Sequence, residues 1–539
     1  MPLTERVADR FAQRLAAAGI RYAFGIPGGE VLTLIDALEQ AGISYVVVTH
    51  EAAAGFMAEA VWQRTGSPGL LVATVGPGLT NAVNVIANAA LDRVPLLVLA
   101  GVVDATERLT YTHQILDHVR LVDPLVKGSF TLTAEAADLV AERALVLATD
   151  PRPGPVHVDV PIEVAAQPAI AEPRRRRRPP MATAPAPGPA LDRARQALAA
   201  AERPLVIAGF DAVEDDAGAA LQRFAATLRA PVIQTYKAKG LLAEDDDWAL
   251  APAALSPVAD ALLLPVVGAA DAIVLAGYDA VEMRSGWREP WDPDRVTVID
   301  VGPVPNDHFL HQATLNVVAD VGATLDALAA DVVGRSSWTV AAVRALRDDV
   351  RSAFGPDEAW GPAAVVDVAR GVLPRETIAT TDAGAHRILF SQVWESFTPR
   401  TLLQSNGLCT MGGALPLAIG AKLVEPDRPV VAFLGDGGLL MGLGELATCA
   451  ARGLAVVVVV FVDRSLALIE KKQRERQLAP TGIGVAAVDL GAAARALGGH
   501  GVTVRDRDSL TVALREALVA PCFTVVAAEI PDRSYDGRI

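Results

Sequence analysis

The amino-acid sequence predicts an α/β protein built from three consecutive parallel-sheet domains. The chain has 539 residues, which exceeds what one hydrophobic core supports and is typical of about three domains. Short apolar runs alternate with helical patterns, as expected where helices cover both faces of a parallel sheet. The composition, with 51% hydrophobic and 21% charged residues, is that of an ordinary globular protein.

The first block, residues 1–165, begins with an amphipathic pattern over residues 5–18. Val7, Phe11 and Leu15 are spaced four apart, so they share one face of a helix. The apolar segments predicted as strands are residues 22–25, 45–49, 70–74 and 96–100. This block is therefore predicted to be the N-terminal α/β domain.

Residues 166–187 break the alternation and are predicted to be a linker. They contain five consecutive arginines, Arg174 to Arg178, followed by prolines and an alanine- and proline-rich stretch. Such a run is compatible with a nucleic-acid or targeting patch. No aromatic residues interleave with the arginines, so a solvated linker is the preferred interpretation.

Two further α/β blocks follow, a central one at residues 188–335 and a C-terminal one at residues 345–539. The predicted strands are residues 204–209, 231–235, 272–277 and 296–300 in the central block and 377–380, 430–434, 456–462 and 523–526 in the C-terminal block. No clear internal sequence repeat relates the three blocks.

Charge, cysteine content and hydropathy argue against several classes of function. The net charge of −15 disfavours nucleic acid as a partner, because clustered cations bind a phosphate backbone. Cys409, Cys449 and Cys522 form no closely spaced pair, so neither a disulfide framework nor a zinc site is indicated. The longest apolar run, residues 454–462, is about half as long as a membrane span. Since residues 1–6 show no secretion-signal pattern, we expect a cytoplasmic protein without a membrane partner.

Two carboxylates of the C-terminal block stand at the ends of predicted strands. Asp436 follows strand 430–434, and Asp463 follows strand 456–462, 27 residues further on. Glycines flank the first carboxylate: Gly435, Gly437 and Gly438. Ligands of open parallel sheets bind beyond the carboxyl ends of the strands. Two carboxylates there, with glycines that let the backbone approach closely, suit a divalent cation bound to phosphates.

This arrangement resembles the diphosphate-binding motif of thiamine-diphosphate-dependent enzymes, in particular the acetolactate-synthase-like group with its benzoylformate and pyruvate decarboxylase relatives. The family's usual second metal ligand is an asparagine, and Asp463 resembles the acidic variant seen in some acetolactate synthases. The resemblance implies thiamine diphosphate and Mg²⁺, or a similar divalent cation, as cofactors. It also implies that the backbone carbonyl of Ser465 is a metal ligand. The alternative role of Asp463 is a strand-end helix cap.

The first block carries a complementary segment, in which strand 45–49 leads into His50 and Glu51 and then into alanines and glycine. It resembles the family segment whose glutamate binds the aminopyrimidine ring of the cofactor. The resemblance implies that Glu51 exchanges a proton with a ring nitrogen, which is general acid–base work. Taken alone, Glu51 is more typical of a cap at the start of a helix, and only its combination with the distant carboxylate motif favours the role in cofactor binding.

Other segments resemble this family in the same order along the chain, and the resemblance covers nearly the whole chain. They supply the further predicted cofactor-binding residues: Gly28, Gly29, Pro77, Asn81, Gly384, His386, Cys409 and Met411. By this resemblance the backbone of Cys409 accepts a hydrogen bond from the aminopyrimidine, and Met411 supports the bent cofactor. The alternative for Met411 is ordinary core packing.

The reaction is predicted from the family as the decarboxylation of a 2-oxo acid, followed by carboligation. Gln114 matches a synthase glutamine near the reacting carbon, whereas the adjacent His113 could donate the proton that completes a simple decarboxylation. The alternatives are therefore a non-oxidative 2-oxo acid decarboxylase or related lyase and an inactive cofactor-binding scaffold. His113 could also be a surface or packing residue.

The family also implies the assembly and the absence of one further cofactor. Its active sites lie between the first domain of one subunit and the third domain of another, so we expect a homodimer or homotetramer. Biosynthetic synthases bind FAD in the central domain through turns that residues 188–335 do not show in clear form, so FAD is not expected. They also carry a tryptophan near the position of Lys472, which this sequence lacks.

Overall fold

Runs of β-branched and other apolar residues form the strands of this protein. The computed structural model describes residues 5–170, 183–252, 256–279, 285–288, 290–306 and 308–539. Within these residues the strands form three six-stranded sheets in which all paired neighbours run parallel. The predicted α/β class is thus confirmed. The arginine run Arg174 to Arg178 lies outside the described residues.

The chain divides into two compact units, of which the first consists of Met1–Pro180, Gly407–Asp427 and Met441–Val456. The strands of its sheet are β1 Tyr22–Gly25, β2 Ser44–Val47, β3 Gly69–Ala73, β4 Leu96–Val102, β5 Ser129–Thr131 and β6 Val156–Pro161. Its N-terminal helices are α1 Val7–Ala17, α2 Leu32–Gln40, α3 Glu51–Thr65, α4 Pro77–Leu91, α5 His118–Val122, α6 Ala137–Thr149 and α7 Ile162–Ala166. The strand order is β2-β1-β3-β4-β6-β5.

The second unit contains the other two sheets. The strands of its central sheet are β7 Pro204–Ala208, β8 Val232–Gln234, β9 Ala249–Pro252, β10 Ala272–Ala276, β11 Thr297–Gly302 and β12 Leu315–Val318, and the helices of this region are α8 Pro189–Ala200, α9 Phe210–Glu214, α10 Gly218–Leu228, α11 Pro257–Gly268 and α12 Val321–Ala329. The central sheet has the order β12-β11-β10-β7-β8-β9.

The third sheet has the order β14-β13-β15-β16-β18-β17 once its strands are numbered β13 Ile378–Thr381, β14 Leu402–Gln404, β15 Val430–Gly435, β16 Val457–Val462, β17 His500–Val504 and β18 Thr524–Glu529. The remaining helices are α13 Val340–Ser352, α14 Pro362–Val372, α15 Ala385–Val393, α16 Ala414–Val424, α17 Asp436–Gly442, α18 Glu445–Arg452, α19 Ala467–Glu475, α20 Leu490–Ala496 and α21 Arg507–Val519. Buried side chains of the central and third sheets form one continuous hydrophobic cluster.

The first and third sheets share one topology, although no sequence repeat relates them. In both, the second strand lies beside the first, and the order reverses between the first and third strands. In open α/β sheets, ligands bind beyond the strand ends at such a reversal. The loops after β1 and β3 in the first unit, and after β13 and β15 in the second, are therefore the places to examine for a site.

Helix α16 belongs to the first unit and packs against α3. The approach is close because Gly420 of α16 has no side chain, and a Cβ there would lie 2.4 Å from the carbonyl oxygen of Met57.

Among the residues that the structure describes, none of the helices combines the length and the apolar character that a membrane crossing requires.

Candidate active site

Glu51 and Asn81 lie together in the first unit. Glu51 is the first residue of α3 and only 4% exposed, and the side-chain amide of Asn81 donates to its Oε2 at 3.1 Å. Asn81 belongs to α4, the helix that begins just beyond β3. The structure thus brings together two of the residues that the sequence selected, and it fixes the carboxylate by a side-chain hydrogen bond.

The backbone before Glu51 is held by Glu445, a residue to which the sequence assigned no role. Its Oε1 accepts from the amide of Thr49 at 2.9 Å, from the Thr49 hydroxyl at 2.6 Å and from the amide of His50 at 3.2 Å. Glu445 is 1% exposed, and such a buried carboxylate must have partners of this kind. The entry into α3 is therefore rigidly placed.

Tyr45 contributes a buried hydroxyl that has no hydrogen-bond partner among the described residues. Burial raises the pKa of Tyr45, and the negative charge of Glu51 raises it further. A buried donor without a partner fits a site that a polar ligand completes.

The glycine loop after β1 is packed against the loop after β3. A Cβ on Gly28 would lie 2.2 Å from Oγ1 of Thr74, whose hydroxyl donates to Oε2 of Glu30 at 2.6 Å. Gly28 is therefore needed for this contact. Gly29 opens a short 3-10 helix and has open space around its Cα.

Gln114 lies against the loop that carries Pro77. Gly76, with φ +65°, precedes Pro77 at the start of α4, and a Cβ on it would lie 2.5 Å from the carbonyl oxygen of Gln114. Gln114 itself has φ +59° and an exposed side chain. His113 is also exposed, with its ring 6.2 Å from that of Tyr111. The structure thus places Gln114 next to the predicted cofactor loop.

Cys409 and Met411 are half-buried in a segment fixed within the first unit. The amide of Gly407 donates to Oδ1 of Asp92 at 2.7 Å, and a Cβ on Gly413 would lie 3.2 Å from the ring of Phe56. Cys409 has φ +55°, a left-handed conformation that costs free energy in a non-glycine residue and often marks functional sites.

Asp436 and Asp463 lie at the ends of two neighbouring strands of the second unit, β15 and β16. Asp436 accepts from the amide of Gly437 at 2.7 Å and from the amide of Arg464 at 2.8 Å, while Asp463 accepts from the amide of Ser465 at 3.1 Å. The hydrogen bond from Arg464 links the loops that carry the two carboxylates. Helix α17 begins at Asp436 itself, directly after β15.

The two carboxylates share an environment that disfavours their charge. Burial raises the pKa of Asp436, and burial raises the pKa of Asp463 to about 6, with the charge of Asp436 adding to the effect. A divalent cation would neutralise both groups, and its preference for oxygen ligands matches this donor set. Burial raises the pKa of the Tyr535 phenol, and the charges of Asp463 and Asp436 raise it further.

The glycines around these carboxylates face His386 and Asp382. A Cβ on Gly384 would lie 2.5 Å, and one on Gly435 3.4 Å, from Nδ1 of His386, while a Cβ on Gly438 would lie 2.6 Å from Oδ2 of Asp382. Nε2 of His386 is 3.2 Å from Oδ1 of Asp382. Asp382 is not among the residues predicted for the site, although it directly follows β13 as Asp436 directly follows β15.

The chain matches three domain models of one enzyme family. Family models described as the N-terminal TPP binding domain, the central domain and the C-terminal TPP binding domain of thiamine pyrophosphate enzymes match residues 5–121, 191–328 and 382–528. The chain is 30% identical to a catabolic acetolactate synthase of Raoultella terrigena, over 98% of this chain and 95% of the relative. It is 29% identical to an acetolactate synthase of Bacillus subtilis, over 96% and 91%. It is 31% identical to a probable 2-ketoarginine decarboxylase of Pseudomonas aeruginosa, over 93% and 90%.

Proposed function

The chain belongs to the thiamine pyrophosphate enzymes, and on this basis we propose that it binds thiamine diphosphate with Mg²⁺, or a similar divalent cation, and acts on a 2-oxo acid. The observation that carries the proposal is the pairing of the buried carboxylate of Glu51 with Asn81. The second support is the pair of desolvated carboxylates at the ends of β15 and β16.

The residues of the proposed site have two roles, proton transfer and cation binding. When bound, thiamine diphosphate supplies a nucleophilic carbon and accepts the electron pair released with CO₂. Glu51 holds and returns a proton at the aminopyrimidine, and Asn81 keeps its carboxylate in place. Asp436, Asp463 and the carbonyl of Ser465 hold the cation.

Backbone and packing residues complete the proposed cofactor site. In the first unit they would hold the aminopyrimidine, and in the second unit glycines would leave the backbone accessible to the diphosphate, which His386 would also bind. The residues assigned here are Gly28, Gly29, Pro77, Cys409, Met411, Gly384, His386, Gly435, Gly437 and Gly438.

We propose that decarboxylation is followed by carboligation. Acetolactate synthases among the relatives support this outcome, and Gln114 offers an uncharged amide that can orient an acceptor carbonyl. The second candidate is a simple decarboxylase, which the 2-ketoarginine decarboxylase relative and the neighbouring His113 favour. An inactive scaffold is disfavoured because Glu51, Asp436 and Asp463 are all present.

A panel of 2-oxo acids, with CO₂ release and product mass measured together, distinguishes these outcomes. A carboligase gives hydroxy-ketone products, and Gln114→Ala should shift them toward aldehyde while His113→Ala leaves ligation largely intact. In a decarboxylase, His113→Ala should instead stall turnover after CO₂ loss. Unchanged product ratios in both variants would remove these two residues from the choice of reaction.

The assembly and location follow from the same proposal. We propose a cytoplasmic homodimer or homotetramer, in which Glu51 of one copy and Asp436 of another serve one cofactor, with neither nucleic acid nor membrane as partner.

The proposed domain limits are residues 1–165, 188–335 and 345–539, with a linker at 166–187. Limited proteolysis that cuts within the linker would support these limits.

A further inference from the structure

Three buried polar side chains of the first unit, two histidines and an aspartate, form a cluster outside the proposed cofactor contacts. His118 begins α5, while His157 and Asp159 lie on β6, and their exposed fractions are 0%, 0% and 2%. Nδ1 of His118 lies 2.9 Å, and Nε2 of His157 lies 3.2 Å, from the same Oδ1 of Asp159. Burying three such groups costs free energy, so their presence in the interior needs an explanation.

The other nitrogen of His118 holds a backbone amide. Gly76 donates its N–H to Nε2 of His118 at 3.2 Å. A backbone amide can only donate, so Nε2 is the acceptor, and the proton of the neutral ring is on Nδ1, where it is donated to Asp159. Burial alone would raise the pKa of Asp159, but hydrogen bonds from His118 and His157 lower it to about 2. Asp159 is therefore an anion that fixes the tautomer of His118.

A metal ion is the rival occupant, because ligand atoms of these three residues lie within 4.8 Å of one another. A metal bound at Nδ1 of His118 would move the ring proton to Nε2. That proton would then face the N–H of Gly76, so two donors would meet at 3.2 Å in a buried place. The hydrogen bond from Gly76 to His118 thus favours a metal-free cluster of His118, His157 and Asp159 over a metal site.

The amide that His118 holds lies where the predicted reaction residues converge. Gly76 has φ +65° and ψ −98°, and a Cβ on it would lie 2.5 Å from the carbonyl oxygen of Gln114. Directly after it, α4 begins and carries Asn81, which donates to Glu51. A shift of Gly76 would therefore move both Gln114 and the partner of Glu51.

We propose that His118, oriented by Asp159, is a positioning residue for the reaction, holding Gly76 so that Gln114 and Asn81 are correctly placed around Glu51. The inference rests on the proposed thiamine-diphosphate-dependent function. His157 supports the arrangement from the other side of Asp159 and is held in turn by Ser129, whose Oγ lies 3.3 Å from its Nδ1.

The test compares three variants in the enzyme loaded with thiamine diphosphate and Mg²⁺. His118→Ala leaves the amide of Gly76 without a partner, and kcat for CO₂ release should fall about tenfold, with a smaller change in KM, as expected for one lost hydrogen bond to a buried group. His118→Gln places an amide oxygen near the position of Nε2 and should restore most of kcat. If His118→Ala does not fold, Asp159→Asn keeps the volume and should lower kcat in the same direction.

His311→Ala is the matched control. His311 is also buried and paired with an aspartate, since its Nε2 lies 3.3 Å from Oδ2 of Asp300, but the pair belongs to the central sheet region. We expect it to lower thermal stability as His118→Ala does, without a change in kcat or in the product ratio.

Three results would overturn the inference. One is equal kcat in wild type and a folded His118→Ala variant, and another is failure of a folded His118→Gln variant to restore activity. The third is stoichiometric metal in wild type, beyond the cofactor's cation, that His118→Ala lacks. Absence of thiamine-diphosphate-dependent CO₂ release from wild type would instead contradict the proposed function itself.

Discussion

Two glutamates of one helix have nearly the same surroundings but differ in expected role. Glu51 and Glu59 both belong to α3 and are 4% and 2% exposed. Each accepts a side-chain amide of α4 at 3.1 Å, from Asn81 and Asn88 respectively. Only Glu51 stands at the start of the helix, beyond the strand ends where ligands bind. We therefore expect a role in catalysis for Glu51 and a role in packing for Glu59.

Glu51→Gln should lower turnover about a hundredfold or more, because an amide cannot exchange the proton that general acid–base catalysis needs. Glu59→Gln removes a buried charge in the same helix and should leave kcat near the wild-type value. Steady-state CO₂ release measures the turnover of both variants. For Glu51→Gln, calorimetry should show a smaller change in thiamine diphosphate affinity than in turnover. Turnover of Glu51→Gln near the wild-type value would remove Glu51 from the mechanism.

The carboxylate of Asp463 should make the metal-free protein sensitive to pH. Burial, with Asp436 nearby, raises its pKa from 3.8 to about 6, so the folded chain binds this proton more tightly than the unfolded chain. Its ionisation therefore lowers the free energy of unfolding as the pH rises from about 4 to about 6. Asp463→Asn cannot ionise and should lack this contribution.

Thermal unfolding of the metal-free protein and of Asp463→Asn, across that pH range, measures the difference. The variant should gain stability relative to wild type as the pH rises, and Mg²⁺ should stabilise wild type more than the variant. If the stabilities of wild type and Asp463→Asn changed in parallel with pH, the pKa of Asp463 would not be raised by burial.

At the scale of elements, the sequence predicted best where a single physical signal dominates. Strands buried on both faces, such as Val457–Val462, are unbroken apolar runs and were predicted to within a residue or so. Three of the missed strands lack that signal. Strands β5, β12 and β17 lie at sheet edges and are half-exposed, so polar residues interrupt their apolar pattern.

Strand β6 was missed for a different reason, although it is fully buried. His157 and Asp159 interrupt its apolar run, and a single sequence cannot show that Asp159 contacts both His157 and His118 in the folded chain. The same limit applies to Glu445 and Tyr535, whose roles depend on partners distant in sequence. Motif residues were predictable because their chemistry is local, whereas residues that hold motifs in place were not.

The central sheet bears on the expectation that the protein binds no FAD. Its strand order is that of dinucleotide-binding folds, so topology alone cannot decide the matter. The loop after β8 contains Lys239, which is fully buried and paired with Glu244 at 2.6 Å. We predict that the purified protein shows no flavin absorbance and that added FAD leaves activity unchanged. A stoichiometric yellow cofactor would contradict this prediction.

At the scale of the whole molecule, the family predicted from the sequence is confirmed by the three matched domains. Glu51 and Asp436 belong to different units of the chain. If each cofactor is served by two copies, Glu51→Gln and Asp436→Ala should complement each other. Co-expressed, they should restore about a quarter of wild-type activity, since half of the dimers are mixed and each holds one intact site.

Each variant alone should be inactive, and size-exclusion chromatography should show that the mixed population is assembled. A mixed population without activity would indicate that Glu51 and Asp436 of the same copy serve one cofactor. The proposal for the assembly would then be wrong, while the assignment of both residues to the site would stand.

The central claim is that this chain releases CO₂ from a 2-oxo acid by means of thiamine diphosphate held through a divalent cation. The most direct test is CO₂ release by protein stripped of cofactor and metal and then reconstituted with each alone and with both. We predict release from at least one 2-oxo acid with both present, and little or none when either is left out or when Glu51→Gln is used. Release that is independent of thiamine diphosphate, or its absence across the whole panel despite measured cofactor binding, would contradict the claim.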